Sequence, residues 1–318
     1  MIRRRTMMSN SVPLAKDRAS RALPSLMGPV ALAATLAFAT APERTLAETR
    51  QSTEPSQIYE DVVYRSADGV DLHLNVYLAP RSSEQPAPVV VYFHGGGWAR
   101  GQRPESWGGF RTFLSAGFSV VTVQYRLSGQ APAPAAVQDA RCAIHWIGQQ
   151  AEEYAFDPER IVAYGTSAGG HLALMAGYLS DDDGVDVEEC RGAPEIAAVL
   201  DFYGPTELTR IKRGNAGRHP SVVRWVGDYP GAEAMDAAMS PARYVGGDTP
   251  PTFVVHGDQD EVVPLSQSSL LVKQLQQAGV AVELFTVPGG GHGKFDAATK
   301  SEIFARALRF VRSRGIIE

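Results

Sequence analysis

Two cysteines in 318 residues, with no C-x-x-C and no H-E-x-x-H spacing, leave little from which to build a structural zinc site. Cys142 and Cys190 could pair in an oxidising compartment, but a single pair neither requires nor excludes a bridge. The glycine run His94-Gly95-Gly96-Gly97-Trp98 carries no lysine, and no G-x-G-x-x-G opens a helix after it, which argues against a phosphate loop. The acidic stretch Asp181-Asp182-Asp183-Gly184, with Asp186, Glu188 and Glu189, lacks calcium-loop spacing and reads as a solvated loop. No internal repeat appears.

Basic charge is also scarce outside the N-terminus. The formal net charge is −5. Residues 1–41 hold six positive charges and one negative, so the remainder carries −10. An acidic domain of this kind repels nucleic acid and anionic membrane surfaces, and neither is expected as a partner. The N-terminus itself has the layout of a secretory signal. Arg3, Arg4, Arg5, Lys16, Arg18 and Arg21 precede an apolar run from Leu26 to Phe38, and small residues follow at Ala39-Thr40-Ala41 and Thr45-Leu46-Ala47. The run is too short and too rich in alanine to favour a spanning helix, so no stable membrane insertion is expected once the signal is removed. Residues 1–47 are therefore expected to be a signal peptide with the start of a linker, and the product to be secreted or periplasmic.

What is present after residue 48 is a strand–helix alternation. Asp61–Tyr64 and Leu72–Leu78 read as two strands joined by the hairpin signal Ala67-Asp68-Gly69, at an antiparallel edge. Val89–Phe93 is continuously apolar, as a strand buried on both faces should be. Similar runs recur at Ser119–Gln124, Ile161–Tyr164, Ile196–Leu200, Thr252–Val255 and Val282–Val287. Helical patterns at Ala136–Ala151, Ser167–Leu179, Ser266–Gln277 and Ala297–Arg312 lie among them. That order predicts one α/β domain over 48–318, with a mostly parallel eight-stranded sheet covered on both faces. Residues 206–245 break the rhythm and read as an insertion at the sheet's carboxyl edge, either a lid-like pocket wall or an ordinary helical excursion.

The chemistry centres on Gly165-Thr166-Ser167-Ala168-Gly169, a G-x-S-x-G between a strand and a helix. Serine needs a base, and the base needs an orienting carboxylate. Of seven histidines, His73 lies on an edge strand, while His145 and His171 sit in helical packing. His219 lies in the insertion, and His94 and His256 end buried strands. His292 stands apart in Pro288-Gly289-Gly290-Gly291-His292-Gly293, a flexible loop after the last strand, and is the expected base. The acid should follow the preceding strand, where Asp258, Asp260 and Glu261 compete, and spacing does not separate Asp258 from Asp260. The glycines of His94–Trp98 can bring N–H groups to the Ser167 turn, with the N–H of Ala168, to hold an oxyanion. Trp98, which closes that run, is the expected substrate-contacting side chain.

Together the HGGGW and GTSAGG runs, H-G-x-x-D-x-x-V-P at 256–264 and the late Gly291-His292-Gly293 resemble the α/β-hydrolase fold. The likeness is to its hormone-sensitive-lipase-like esterases, in particular secreted bacterial carboxylesterases of the feruloyl-esterase-like type, from about Val70 to Arg312. The resemblance implies Ser167, Asp260 and His292 as catalytic residues, the fifth position of H-G-x-x-D selecting Asp260 over Asp258. It implies Gly96, Gly97 and Ala168 as oxyanion donors, with no metal or organic cofactor. Two departures stand out. Thr166 replaces an aspartate common in relatives, and no helical cap precedes the sheet, so an open cleft is expected for short acyl or carbohydrate-linked esters. A serine peptidase or amidase of the same fold, or a non-catalytic hydrolase-like binding module, is the alternative.

Overall fold

Asp68 and Gly69 both take positive φ, 51° and 78°, as a two-residue hairpin turn requires. They join β1 (Ile58–Ala67) to β2 (Val70–Tyr77) in antiparallel register, Ala67 opposite Val70. The structure, a computed structural model, describes residues 54–80, 85–213 and 216–318. The expected signal peptide, residues 1–47, lies outside them.

After the hairpin come β3 (Ala87–Phe93), α1 (Arg111–Ser115), β4 (Ser119–Val123), α2 (Ala135–Gln149), α3 (Ala151–Tyr154), β5 (Phe156–Thr166), α4 (Ala168–Tyr178) and β6 (Ala198–Phe202). The insertion contributes a short ladder, β7 (Lys212–Arg213) against β8 (Ala216–Arg218), then α5 (Pro220–Val226) and α6 (Ala232–Ala238). β9 (Thr252–Gly257), α7 (Ser266–Gln277), β10 (Val282–Val287) and α8 (Ala297–Ser313) complete the chain. Eight strands form one sheet in the order β1-β2-β4-β3-β5-β6-β9-β10. β2 is antiparallel to both its neighbours, and every other pair is parallel. This is the mostly parallel eight-stranded sheet expected from the alternation, in the α/β-hydrolase fold that the motif resemblance implies.

Side-chain alternation sorts the core onto two faces. Val89 and Val91 of β3 pack with Ile144, Leu172 and Leu271 from α2, α4 and α7. Val90, one residue between them, packs on the opposite face with Phe113 of α1 and Ile303 and Val311 of α8. All three valines are fully buried, each worth roughly 1.5–3 kcal/mol against exposure. β6 begins at Ala198, two residues later than the apolar run from Ile196 suggests, and β5 reaches back to Phe156, opposite Ala87.

The order β4-β3-β5 fixes where a site can form. From β3 the chain crosses to β4 on one side, and from β5 it crosses to β6 on the other. The carboxyl ends of β3 and β5 therefore open a crevice uncovered by either crossover, the switch point of an α/β sheet.

The acidic stretch after α4 is solvated at Asp182, Asp183, Glu188 and Glu189, as expected, but not throughout. Asp186 is not solvated: its carboxylate is 1% exposed and meets the buried Arg141 guanidinium at 2.6 Å. Asp181 meets the same guanidinium at 3.1 Å, and Arg141 also donates to the carbonyls of Ala176 and Leu179. A guanidinium sunk beside α2 must have its charge and donors matched, so the acids serve the helix rather than water. Cys142, the next residue of α2, is disulfide-bonded to Cys190 at the far end of this stretch.

Candidate active site

Ser167 sits between β5 and α4 with φ 56° and ψ −122°, a region non-glycine residues avoid at a cost of about 1–3 kcal/mol. The turn is possible because Gly165 and Gly169 carry no side chain. A Cβ on Gly165 would lie 2.0 Å from Gly169 O, and one on Gly169 would lie 2.0 Å from Phe93 O. The Ser167 N–H donates to Phe202 O at 2.8 Å, locking the strained residue to β6. The hydroxyl of Thr166 lies 3.3 Å from Tyr92 Oη.

Of the histidines, the structure brings His292 to the serine. Its Nε2 lies 2.8 Å from Ser167 Oγ, 125 residues away in sequence, and its Nδ1–H donates to Asp260 Oδ2 at 2.7 Å. Asp260 Oδ1 accepts the N–H groups of Val262 and Val263 at 2.8 and 2.9 Å. Burial alone would raise this carboxyl's pKa, but hydrogen bonds from His256, His292 and the Val263 amide outweigh it and hold the group well below the usual carboxylate range. The neighbouring candidate, Asp258, faces the other way and accepts Gly289 N–H at 2.7 Å. Sequence spacing left these two open; the His292 loop docks on one and pins its own backbone with the other.

The strand-end histidines His94 and His256, and His171 of α4, make structural contacts instead. The buried His256 accepts from Ser268 Oγ through Nδ1 at 2.6 Å and donates Nε2–H to Val263 O at 2.8 Å, backing the Asp260 turn. His94 stacks on Tyr125 with ring centroids 4.3 Å apart. His171 donates Nε2–H to Met239 O at 2.7 Å and accepts Trp98 Nε1–H at 3.3 Å. That pattern requires a neutral ring, and burial pushes the His171 pKa down to about 4.

The HGGGW loop meets the serine turn at Gly95, where an added Cβ would lie 2.9 Å from Thr166 O and 3.3 Å from Ser167 Cβ. Gly96, Gly97, Trp98, Ser167, Ala168 and His292 share one cavity of about 370 Å³. Among the described residues no hydrogen bond takes the N–H groups of Gly96, Gly97 or Ala168. Trp98 is only 2% exposed: its indole stacks on Trp225 with centroids 4.5 Å apart, so it offers the cavity an edge and mainly fixes the wall. No cluster of three or more His, Cys, Asp or Glu side chains that could hold a metal ion occurs among the described residues.

Sequence reasoning offered 206–245 as a pocket wall or a helical excursion but named none of the wall's other side chains. Tyr203, just past β6, has φ 47° and its ring lies edge-on to His292 at 4.9 Å. Its place at a strand's carboxyl end was the available signal. Ile211, Ser221 and Arg224 of the insertion close one side, and Arg100 and Val262 flank the mouth. The 206–245 stretch is thus a pocket wall. It is seated by Thr206 N–H on Gln267 and braced internally by Leu208 N–H on Ser240 Oγ and by paired 2.6 Å bonds from Arg218 to Asp236.

The family model described as BD-FAE matches residues 74–275. Esterase LipQ of Mycobacterium tuberculosis is 30% identical over 70% of this chain and 54% of its own length. Carboxylesterase NlhH of the same species is 32% identical over 71% of this chain and 72% of its own. An acetyl ester-xyloside bifunctional hydrolase from Caldicellulosiruptor lactoaceticus superposes with a TM-score of 0.70 at 26% identity, over 83% of this chain and 98% of that one. The chain spans about half the length of LipQ and of two further mycobacterial relatives, LipC and LipM.

Proposed function

The chain belongs to the BD-FAE family, a group of α/β-hydrolase-fold proteins, and from that footing we propose that it is a serine carboxylic-ester hydrolase. The carrying observation is the unbroken hydrogen-bond chain from Ser167 Oγ through His292 to Asp260, at 2.8 and 2.7 Å. His292 Nε2 takes the Ser167 proton as Oγ attacks the ester carbonyl. Asp260, ionised and buried behind the ring, keeps the proton on Nδ1 and balances the imidazolium charge. The N–H groups of Gly96, Gly97 and Ala168 receive the developing oxyanion, each donor worth about 3–4 kcal/mol of transition-state stabilisation. His292 then protonates the leaving alcohol, and a water activated by the same ring releases the acid from Ser167. No step calls on a metal or organic cofactor.

The substrates are short acyl esters or acyl groups carried on carbohydrate. A cavity of about 370 Å³ with exposed residues at its rim suits a small acyl group on a bulky alcohol better than a long chain. The name of NlhH supports a carboxylic ester, and that of the acetyl ester-xyloside hydrolase supports a short acyl group and a carbohydrate. Export, secreted or periplasmic, accords with the Cys142–Cys190 bridge, since such bonds persist in oxidising compartments.

Ser167→Ala and His292→Ala should each lower kcat on p-nitrophenyl acetate by roughly 10⁴-fold or more with the circular dichroism spectrum unchanged. A fluorophosphonate probe should label wild type at Ser167. Substantial turnover by either variant overturns the assignment, and faster cleavage of a matched anilide than of its ester would favour an amidase.

A further inference from the structure

The arginines of this acidic chain are mostly spoken for. Arg65, Arg126, Arg141, Arg160 and Arg218 each face a carboxylate within 3.1 Å. Arg103 is likewise paired with Asp61. Arg100 and Arg224, like Arg111, Arg210 and Arg309, are exposed and form no ion pair or side-chain hydrogen bond among the described residues; what sets them apart is where they lie. Both line the cavity that contains Ser167 and His292, and no aspartate or glutamate lines it with them.

Their placement is built in from two separate segments. The backbone carbonyl of Arg100 packs over Gly96, so close that a Cβ there would lie 1.9 Å from it. Arg224 lies one turn after Ser221 on α5, and Ser221 Oγ abuts Gly97 at 3.2 Å from the Cβ position. The next residue, Trp225, is fully buried against Trp98 and holds that turn in place. Two arginines thus line a mixed polar and apolar cleft that no carboxylate lines with them, in a chain of net charge −5.

Resting on the esterase reading above, we propose that Arg100 and Arg224 select esters bearing a carboxylate, either on the acyl side, as a dicarboxylic half ester, or on the alcohol side, as an acylated uronic acid. A guanidinium offers a carboxylate two parallel N–H donors and keeps its charge at every working pH. A neutral ester gains nothing from either group. The rim therefore acts on substrate capture and sets KM, while the Ser167 chemistry is common to charged and neutral esters.

Two matched pairs test this. Mono-4-nitrophenyl adipate against 4-nitrophenyl hexanoate places the charge on the acyl side, and 4-acetoxybenzoate against its methyl ester places it on the alcohol side. In at least one pair, Arg100→Gln/Arg224→Gln should lower kcat/KM for the carboxylate ester tenfold or more, through KM, and for the neutral ester less than threefold. Sodium chloride at 0.5 M should erode the wild-type preference in the same pair. Ser167→Ala protein should bind the favoured carboxylate ester at least tenfold more tightly than its neutral partner by calorimetry, and lose that margin with both arginines replaced. Equal losses on charged and neutral esters in both pairs, or equal binding, overturn the proposal. Absence of wild-type hydrolysis on all four esters would instead overturn the esterase reading, and the calorimetric margin still decides the arginine rim.

Discussion

Two excursions leave the sheet after neighbouring strands and are fastened in opposite ways. Residues 180–191 are tied to α2 by a disulfide and by the Arg141 pairs to Asp181 and Asp186. Residues 206–245 have no covalent tie among the described residues. They rest on the stack of Trp225 on Trp98, on a neutral imidazole bonded to Met239 O, and on buried side-chain hydrogen bonds. The first stretch lines no part of the Ser167 cavity, and the second forms a whole side of it. Where nothing is presented to a substrate, charge and sulfur can be used for anchorage. Where a surface is presented, anchorage comes from stacked rings and neutral hydrogen bonds with the internal Arg218–Asp236 pair behind them, while Arg224 lines the cavity without a partner carboxylate.

Removing the anchor of the wall should have the largest effect. Trp225→Ala should cost up to about 5 kcal/mol in urea unfolding, because a fully buried indole is deleted, and should lower kcat/KM for p-nitrophenyl acetate about tenfold by loosening Trp98. Replacing both Cys142 and Cys190 by alanine should cost about 4 kcal/mol for a loop closed over 48 residues, yet leave kcat/KM of the folded protein within about twofold. A kinetic defect in the second variant, or none in the first, would erase the contrast between the two excursions.

A smaller effect distinguishes them by pH. His171, held at about 4 against 6.5 in the unfolded chain, binds its proton less readily when folded, so its contribution is intact above pH 6.5 and lost as pH falls toward 4. That amounts to about 3 kcal/mol. Asp201, at the end of β6, has the opposite sign. It is fully buried, one oxygen accepts Gly204 N–H and the other has no partner, and burial raises its pKa from 3.8 to about 7. The folded chain therefore holds that proton longer, and stability falls as pH rises from 4 to 7. Between pH 4 and 6.5 the two slopes offset. Asp201→Asn should unmask the His171 fall of about 3 kcal/mol on acidification, read from urea midpoints across that range. Unchanged slopes in Asp201→Asn would mean that the carboxyl is ionised throughout.

Much of the sheet was legible because buried parallel strands leave continuous apolar runs and the hairpin carries Asp68-Gly69. The serine turn was legible because its glycines are dictated by backbone collisions, which few sequences satisfy by accident. Choosing Asp260 over Asp258 needed the family likeness, since two carboxylates two residues apart differ only in which way the turn points them. Residues 206–245 read as either a pocket wall or a helical excursion, and the side chains that make the wall were not legible. Arg100, Tyr203 and Arg224 come from three segments whose meeting depends on how α5 docks through Trp225, and no local pattern encodes that docking. Within the otherwise solvated acidic stretch, the pairing of Asp181 and Asp186 was missed for a similar reason: their counter-charge, Arg141, lies 40 residues earlier, from Asp181.

Of the six non-glycine residues with positive φ among those described, Trp98, Ser167 and Tyr203 surround the one cavity. Each carries a conformational burden of about 1–3 kcal/mol that the surrounding packing must overcome. A laboratory search for sturdier versions of this protein will be drawn to those three positions, because relaxing any of them is thermodynamically downhill. Every such gain would be made at the mouth of the reaction, so heat resistance and turnover pull against each other at the same three residues.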